Sequence, residues 1–231
     1  MSKVIGSGRQ DAEAADSALR GKKSVVSGRA GSRKEQKEDT RQKVRAAALE
    51  LFSSRGFDET STKEIAERAG VAGGTVFVHA PDKEDLLCLV MHELLSSTMA
   101  RAFESLPAGP LDEQVLHVFG ELFKMYALHP KLAQPFVAVS AAARSQGPNA
   151  MAVGQLTFEL MGRFAALVTE AQASGSVEAE VPPLLLAQNL MALYFFSLMS
   201  WTSGYVSHEA AFDPQLTMSV RLSLRGAYTR T

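Results

Sequence analysis

Chemistry-bearing residues are scarce in this chain of 231 residues: one cysteine, one tryptophan and five histidines. The lone thiol, Cys88, excludes an internal disulfide framework and any cysteine-rich zinc module. His79, His92, His117, His129 and His208 show no metal-ligand spacing with Cys88 or with one another. His117 and Glu121 stand four apart on one helix, a pair that is far more often a surface contact than a site. No G-x-S-x-G or H-E-x-x-H run occurs, and Gly73-Gly74-Thr75 and Gly21-Lys22-Lys23-Ser24 lack the spacing of a phosphate loop. The reading is therefore not an enzyme, with no cofactor and no metal. Nine prolines and 17 glycines are too few for a collagen-like or wholly disordered chain. The first 38 residues hold no apolar stretch of the kind a secretory signal requires, so the expected compartment is the cytoplasm.

The net charge of -1 conceals an asymmetry. Residues 1–38 carry nine Lys/Arg against five Asp/Glu, whereas residues 39–85 and 86–231 are both net acidic. Large apolar residues are sparse before residue 39, so this leader buries too little surface to offset its ordering entropy and is expected to be disordered. Two roles stay open for it: an inert leader, or a basic arm lying along a polyanion.

Order is expected from Asp39. Val44, Ala47, Ala48, Leu51 and Phe52 recur at helical spacing, and Gly56 closes the helix. Ser61-Thr62-Lys63-Glu64 reads as a capping box that opens a short helix with Ile65, Ala66 and Ala69 on one face. Gly70 breaks it, and Val71 is expected as a buried plug in the turn. A second short helix spans roughly Gly73–Ala80, with Val76 and Phe77 expected inward. Pro81 stops it, and Asp82 is placed to cap the next helix. Two short helices on a tight turn, braced by a longer one, form a helix-turn-helix whose second helix can enter a major groove.

The run TRQKVRAAALELFSSRGFDETSTKEIAERAGVAGGTVFVHAPDKEDLL (Thr40–Leu87) resembles the DNA-binding region of the tetracycline-repressor (TetR) family. The likeness rests on the Ala-Ala/Leu-Phe register, Arg55-Gly56-Phe57, Ile65-Ala66, Ala69-Gly70-Val71, Gly74-Thr75, and Lys83 with Leu86. It covers about 48 of the 231 residues. The remainder agrees in length and helical character, as befits a family whose ligand-binding and dimerisation half is variable. Three positions depart from the family pattern: Ala72 stands where a serine is common, Phe77 where tyrosine is common, and Ala80 where an aromatic is common.

The resemblance implies DNA contacts by Gly74, Thr75, Phe77, Val78 and His79 of the second short helix. Val78 suits a thymine methyl, and Gly74 allows close backbone approach. Lys83 is expected on a phosphate, with Thr40, Ser61 and Thr62 adding backbone contacts. For Ser61 and Thr62, pure capping is an equal alternative.

Beyond Lys83, helical patterns cover 83–105, 111–128, 131–144, 149–174, 183–204 and 213–229, which gives an all-α fold of about nine helices. The expected division is 1–38 leader, 39–85 DNA-binding domain and 86–231 ligand-binding and dimerisation domain. Val181–Trp201 contains no charged residue, but Pro182-Pro183, Gln188-Asn189 and the lack of a flanking Lys/Arg cluster favour a helix buried on two sides over a membrane span. On the last helix Leu216, Val220, Leu224 and Ala227 form a stripe, read as one seam of a homodimer's four-helix bundle. Met91, Met99, Phe119, Phe123, Tyr126, Phe136, Met161, Phe164, Met199 and Trp201 are candidate pocket residues, since thioethers and rings line adaptable apolar sites.

The function expected is a homodimeric repressor on an inverted-repeat, double-stranded operator, released by a small, largely apolar ligand, with no membrane partner. The alternative is an all-α protein- or ligand-binding module that has lost specific DNA binding.

Overall fold

The computed structural model describes residues 10–142 and 144–228, with side-chain surroundings from Ser32 onward. The described residues are helical, with one isolated β-bridge between Val177 and Tyr228. The helices are α1 (Gln10–Arg55), α2 (Thr62–Ala69), α3 (Gly73–His79), α4 (Lys83–Glu104), α5 (Leu111–Leu128), α6 (Pro130–Ala141), α7 (Pro148–Ala173), α8 (Pro183–Thr202), α9 (His208–Ala210) and α10 (Thr217–Arg225). A wide-turned segment, Ala211–Leu216, joins α9 to α10. The terminal helix expected over 213–229 is thus split at Pro214, which cannot donate to a helical ladder.

Two compact units divide the chain, residues 1–43 and 44–231. In the first, residues 10–38 were expected without order, yet they are helical. A helix satisfies its own backbone over four residues and needs no buried face, and this stretch is rich in Ala, Lys, Arg, Glu and Gln, all good helix formers. Sparse burial therefore does not forbid a helix there. Lys43 pairs with Asp39 at 2.6 Å, and Thr40 Oγ1 donates to the Gln36 carbonyl at 2.8 Å. Residues 1–9 of the expected leader lie outside the described residues.

The second unit is built on α4, which packs against α5, α6 and α7, while α7 packs along α8. Phe52, Ile65, Leu86, Met91, Phe119, Phe123 and Phe164 are fully buried, each contributing about 1.5–3 kcal/mol of apolar transfer. The stripe Leu216, Val220, Leu224 and Ala227 is buried within this same unit and is therefore not available as a dimer seam. Exposed apolar residues instead occupy the other side of α10 (Met218, Leu222) and one face of α8 (Leu185, Phe195, Phe196, Met199). By length and composition, α4, α7 and α8 are each long and apolar enough to cross a bilayer.

Candidate nucleic-acid interface and ligand cavity

The local chemistry of residues 55–85 builds a rigid helix-turn-helix. Ser61 caps α2: its hydroxyl accepts from the Glu64 amide at 3.2 Å, and the Glu64 carboxylate accepts from the Ser61 amide and hydroxyl, both at 2.8 Å. Those bonds, with Arg55 beside them, hold the Glu64 carboxyl below the usual carboxylate range. Every hydrogen-bonding capacity used by Ser61 is local, so the capping alternative carries the geometry. Gly70 ends α2 at φ +67°, a conformation other L residues rarely adopt. Val71 is half-buried against the core rather than a sealed plug. Ala72 begins α3 without a side-chain cap, and Asp82 caps α4 by accepting from the Asp85 amide at 2.6 Å.

Helix α3 faces differently from the expectation. Val76 is buried as expected, but His79 is only 4% exposed, whereas Phe77 and Val78 are 51% and 64% exposed. At 100° per residue, positions 76, 79 and 80 share one face and 74, 77 and 78 the other, so with Val76 and His79 inward Phe77 falls on the outward side. His79 therefore does not face the groove, and Phe77 is not interior. Gly74 and Val78 are exposed, and Thr75 and Thr62 are half-buried. Thr40 belongs to the first unit.

Lys83 does not reach outward to a phosphate. Its ammonium donates to the carbonyls of Phe57 (2.9 Å), Thr60 (3.1 Å) and Asp58 (3.3 Å) and lies 4.4 Å from the centre of the Phe57 ring. Three protons meet three carbonyls, so the side chain fastens the α1–α2 turn to the start of α4. Other cations in this region are also engaged: Arg55 with Glu64 at 2.6 Å, and Arg68 with both oxygens of Glu50 at 2.7–3.0 Å.

Behind the interface, α4 is tied to α7 by a buried polar cluster that no sequence pattern marks. Fully buried Asp85 accepts from the amides of Asn149 and Ala150, at 3.0 and 2.9 Å, and from the Asn149 side chain at 2.7 Å. Asn149 also donates to the His79 carbonyl at 2.8 Å. A Cβ on Gly147 would collide with the Asp85 carboxylate, so glycine is required there.

A cavity of about 610 Å³ lies among α4 to α8. Of the candidate pocket residues, Met99, Tyr126, Phe136 and Met199 line it. Met91, Phe119, Phe123 and Phe164 are core instead, and Met161 and Trp201 pack against that core without lining the cavity. All these residues share the same helical apolar periodicity, so pattern alone could not sort them. Cys88, Leu122, Met191 and Tyr194 also line it and were not anticipated. Burial, with Asp85, Asp82 and Glu84 nearby, pushes the Cys88 thiol up to about 12.

Residues 44–88, which hold most of this helix-turn-helix, match the family described as bacterial regulatory proteins, tetR family. Over 92 residues the chain is 36% identical to the HTH-type transcriptional regulator AcrR of Shigella flexneri, spanning 37% of this chain but only 42% of that protein's length. Among solved structures, a tetR family transcription regulator from Shewanella sp. PV-4 has a TM-score of 0.54 at 27% identity, covering 83% of this chain and 99% of that one. Thermus thermophilus FadR, a TetR-family transcriptional repressor solved in complex with lauroyl-CoA, has a TM-score of 0.60 at 26% identity, covering 80% and 91%.

Proposed function

This chain belongs to the TetR family of DNA-binding, non-enzymatic bacterial transcriptional regulators, and on that premise we propose that it is a homodimeric repressor released from its operator by a small, largely apolar molecule. The observation that carries the reading is the outward face of α3. Gly74, Phe77 and Val78 stand exposed on a helix held by caps at both neighbours, which is the presentation a major groove requires. In this reading Thr75 and Val78 touch base edges, and Phe77 packs beside the backbone. The ligand half of the proposal is supported by the cavity and by FadR's complex with lauroyl-CoA.

Exposed Leu185, Phe196, Met218 and Leu222 suit an isologous interface formed by α8 and α10 of two copies. A two-fold dimer presents two recognition helices, so its operator is an inverted repeat with half-sites about 34–36 Å apart. A DNA-reading repressor works in the cytoplasm, with α4, α7 and α8 packed on protein rather than lipid. Ligand binding favours a state whose recognition helices no longer fit adjacent grooves, with a coupling of about 1–3 kcal/mol.

A second reading, an all-α binding module without specific DNA recognition, is favoured by the internal engagement of Arg55, Arg68 and Lys83 and by the uncapped start at Ala72. A gel shift with DNA from upstream of the chain's own gene separates the two. A discrete shift that survives competitor DNA supports the repressor. Saturating protein at low salt without any shift would favour the module.

A further inference from the structure

The cavity walls are apolar apart from a few hydroxyl and thiol groups, and none of the lining side chains is charged. Tyr126 and Tyr194 stand out among those groups. Both are buried and both line the cavity, with their hydroxyls close enough to influence one another. Two rings brace the pair: Phe119 stacks on Tyr194 with centroids 4.7 Å apart, and Phe136, itself a lining residue, lies 6.5 Å from Tyr126.

A pair of hydroxyls carries two protons, and a bond between the two would use only one. The other can serve an acceptor in the cavity that both residues line. A ligand oxygen placed there gains a hydrogen bond from a donor already held away from bulk water. Burial pushes both phenols well above their ordinary range, so the pair stays protonated and remains a donor. Cys88, which also lines the cavity, is likewise held as the neutral thiol at physiological pH. With no cation on the walls, a carboxylate or phosphate entering the cavity would lose its hydration without gaining a partner charge.

We propose that this cavity selects an uncharged, largely apolar molecule bearing one hydrogen-bond-accepting oxygen, received by the Tyr126–Tyr194 hydroxyl pair. The inference rests on reading the cavity as the effector site. It narrows that site's ligands to neutral ketones, esters, ethers or amides, and it places any anionic head group outside the cavity.

Three probes of similar shape test it by calorimetry on the free, full-length protein: benzophenone, diphenylmethane and 4-benzoylbenzoate. Benzophenone is expected to bind about tenfold more tightly than diphenylmethane, one hydrogen bond's worth. 4-Benzoylbenzoate is expected to bind at least about 30-fold more weakly than benzophenone. In a Tyr126→Phe/Tyr194→Phe double variant, benzophenone should fall to the affinity of diphenylmethane, whose own binding stays unchanged and reports an intact cavity. Equal wild-type affinities for benzophenone and diphenylmethane would overturn the role of the pair, whatever the variant does. Tighter binding of the carboxylate, or no binding of any probe, would overturn the proposal as a whole. DNA is absent from this titration, so a failed gel shift would count against the repressor reading and not against this one.

Discussion

Asp85 holds Asn149 by two hydrogen bonds at once, one from its backbone amide at 3.0 Å and one from its side-chain amide at 2.7 Å. The first caps the N-terminus of α7, where an anion also meets the favourable end of the helix dipole. The second orients a side chain that also donates to the carbonyl of His79, the last residue of α3. One buried carboxylate thus joins α3, the long α4 and α7, whose Ala150, Val153 and Leu156 line the cavity. A displacement of the α7 wall therefore has a short polar route to α3.

Removing the carboxylate leaves the Asn149 and Ala150 amides buried without their acceptor. Asp85→Ala is expected to lower unfolding free energy by about 2–4 kcal/mol in urea titrations. Asn149→Ala, which keeps both backbone bonds, should cost about 1–2 kcal/mol. Equal destabilisation by the two variants would show that the side-chain amide, not the helix cap, is the main element.

Lys83→Met keeps an apolar stem but deletes the bonds to Phe57, Asp58 and Thr60. The expected result is a destabilisation of about 1–3 kcal/mol. The log–log salt slope of DNA binding should change by well under the ~0.9 that neutralising a single phosphate contributes. A slope smaller by that full amount, with unchanged stability, would restore Lys83 to the phosphate backbone.

Val78→Ala and His79→Ala are expected to separate. The exposed Val78 can be trimmed with little effect on unfolding, while preference at one base position relaxes by about 1–3 kcal/mol. The buried His79 should instead cost stability, with base preference retained in whatever protein remains folded. Competition binding across single-base operator variants, beside thermal melts, reads both effects.

Alkylation of Cys88 reports its surroundings. With the thiol raised to about 12, thiolate is scarce at pH 8, where an ordinary cysteine near 8.5 is already partly ionised. Iodoacetamide should therefore react at least about 100-fold more slowly than with free cysteine at that pH. The rate should climb steadily as pH rises toward 10. Rapid labelling at pH 8 of the folded protein would contradict the buried, acid-flanked setting.

Deleting residues 1–38 removes nine Lys/Arg and five Asp/Glu. If this basic stretch neutralises phosphates, affinity and salt dependence should fall together, the slope by about 0.9 for each phosphate no longer neutralised. Dimerisation and benzophenone binding should be unaffected. Unchanged affinity and slope in filter binding would mark the segment as inert toward DNA.

What the sequence determined by itself was local. The Ser61–Glu64 capping box, the turn at Gly70, the cap at Asp82 and the helical runs to Thr202 each depend on residues within a few positions of one another, so one-dimensional spacing contains the needed physics. The helix-turn-helix was legible for that reason. The phase of α3 is legible too, because 76, 79 and 80 share a face by simple helical geometry, although His79 was expected outward and Phe77 both inward and as a DNA contact. Partners far apart in the chain were decided only by the tertiary structure. Lys83 finds three carbonyls 23 to 26 residues back, and Asp85 finds Asn149 64 residues on. The same holds for the apolar residues. Phe119 and Tyr126 repeat with the same helical period, yet one is sealed in core and the other faces a void. The stripe at Leu216, Val220 and Leu224 closes its own unit rather than a partner's. Periodicity says that a face is buried; what buries it depends on how the helices pack, and that is set by the sum of many weak non-directional contacts rather than by any one spacing.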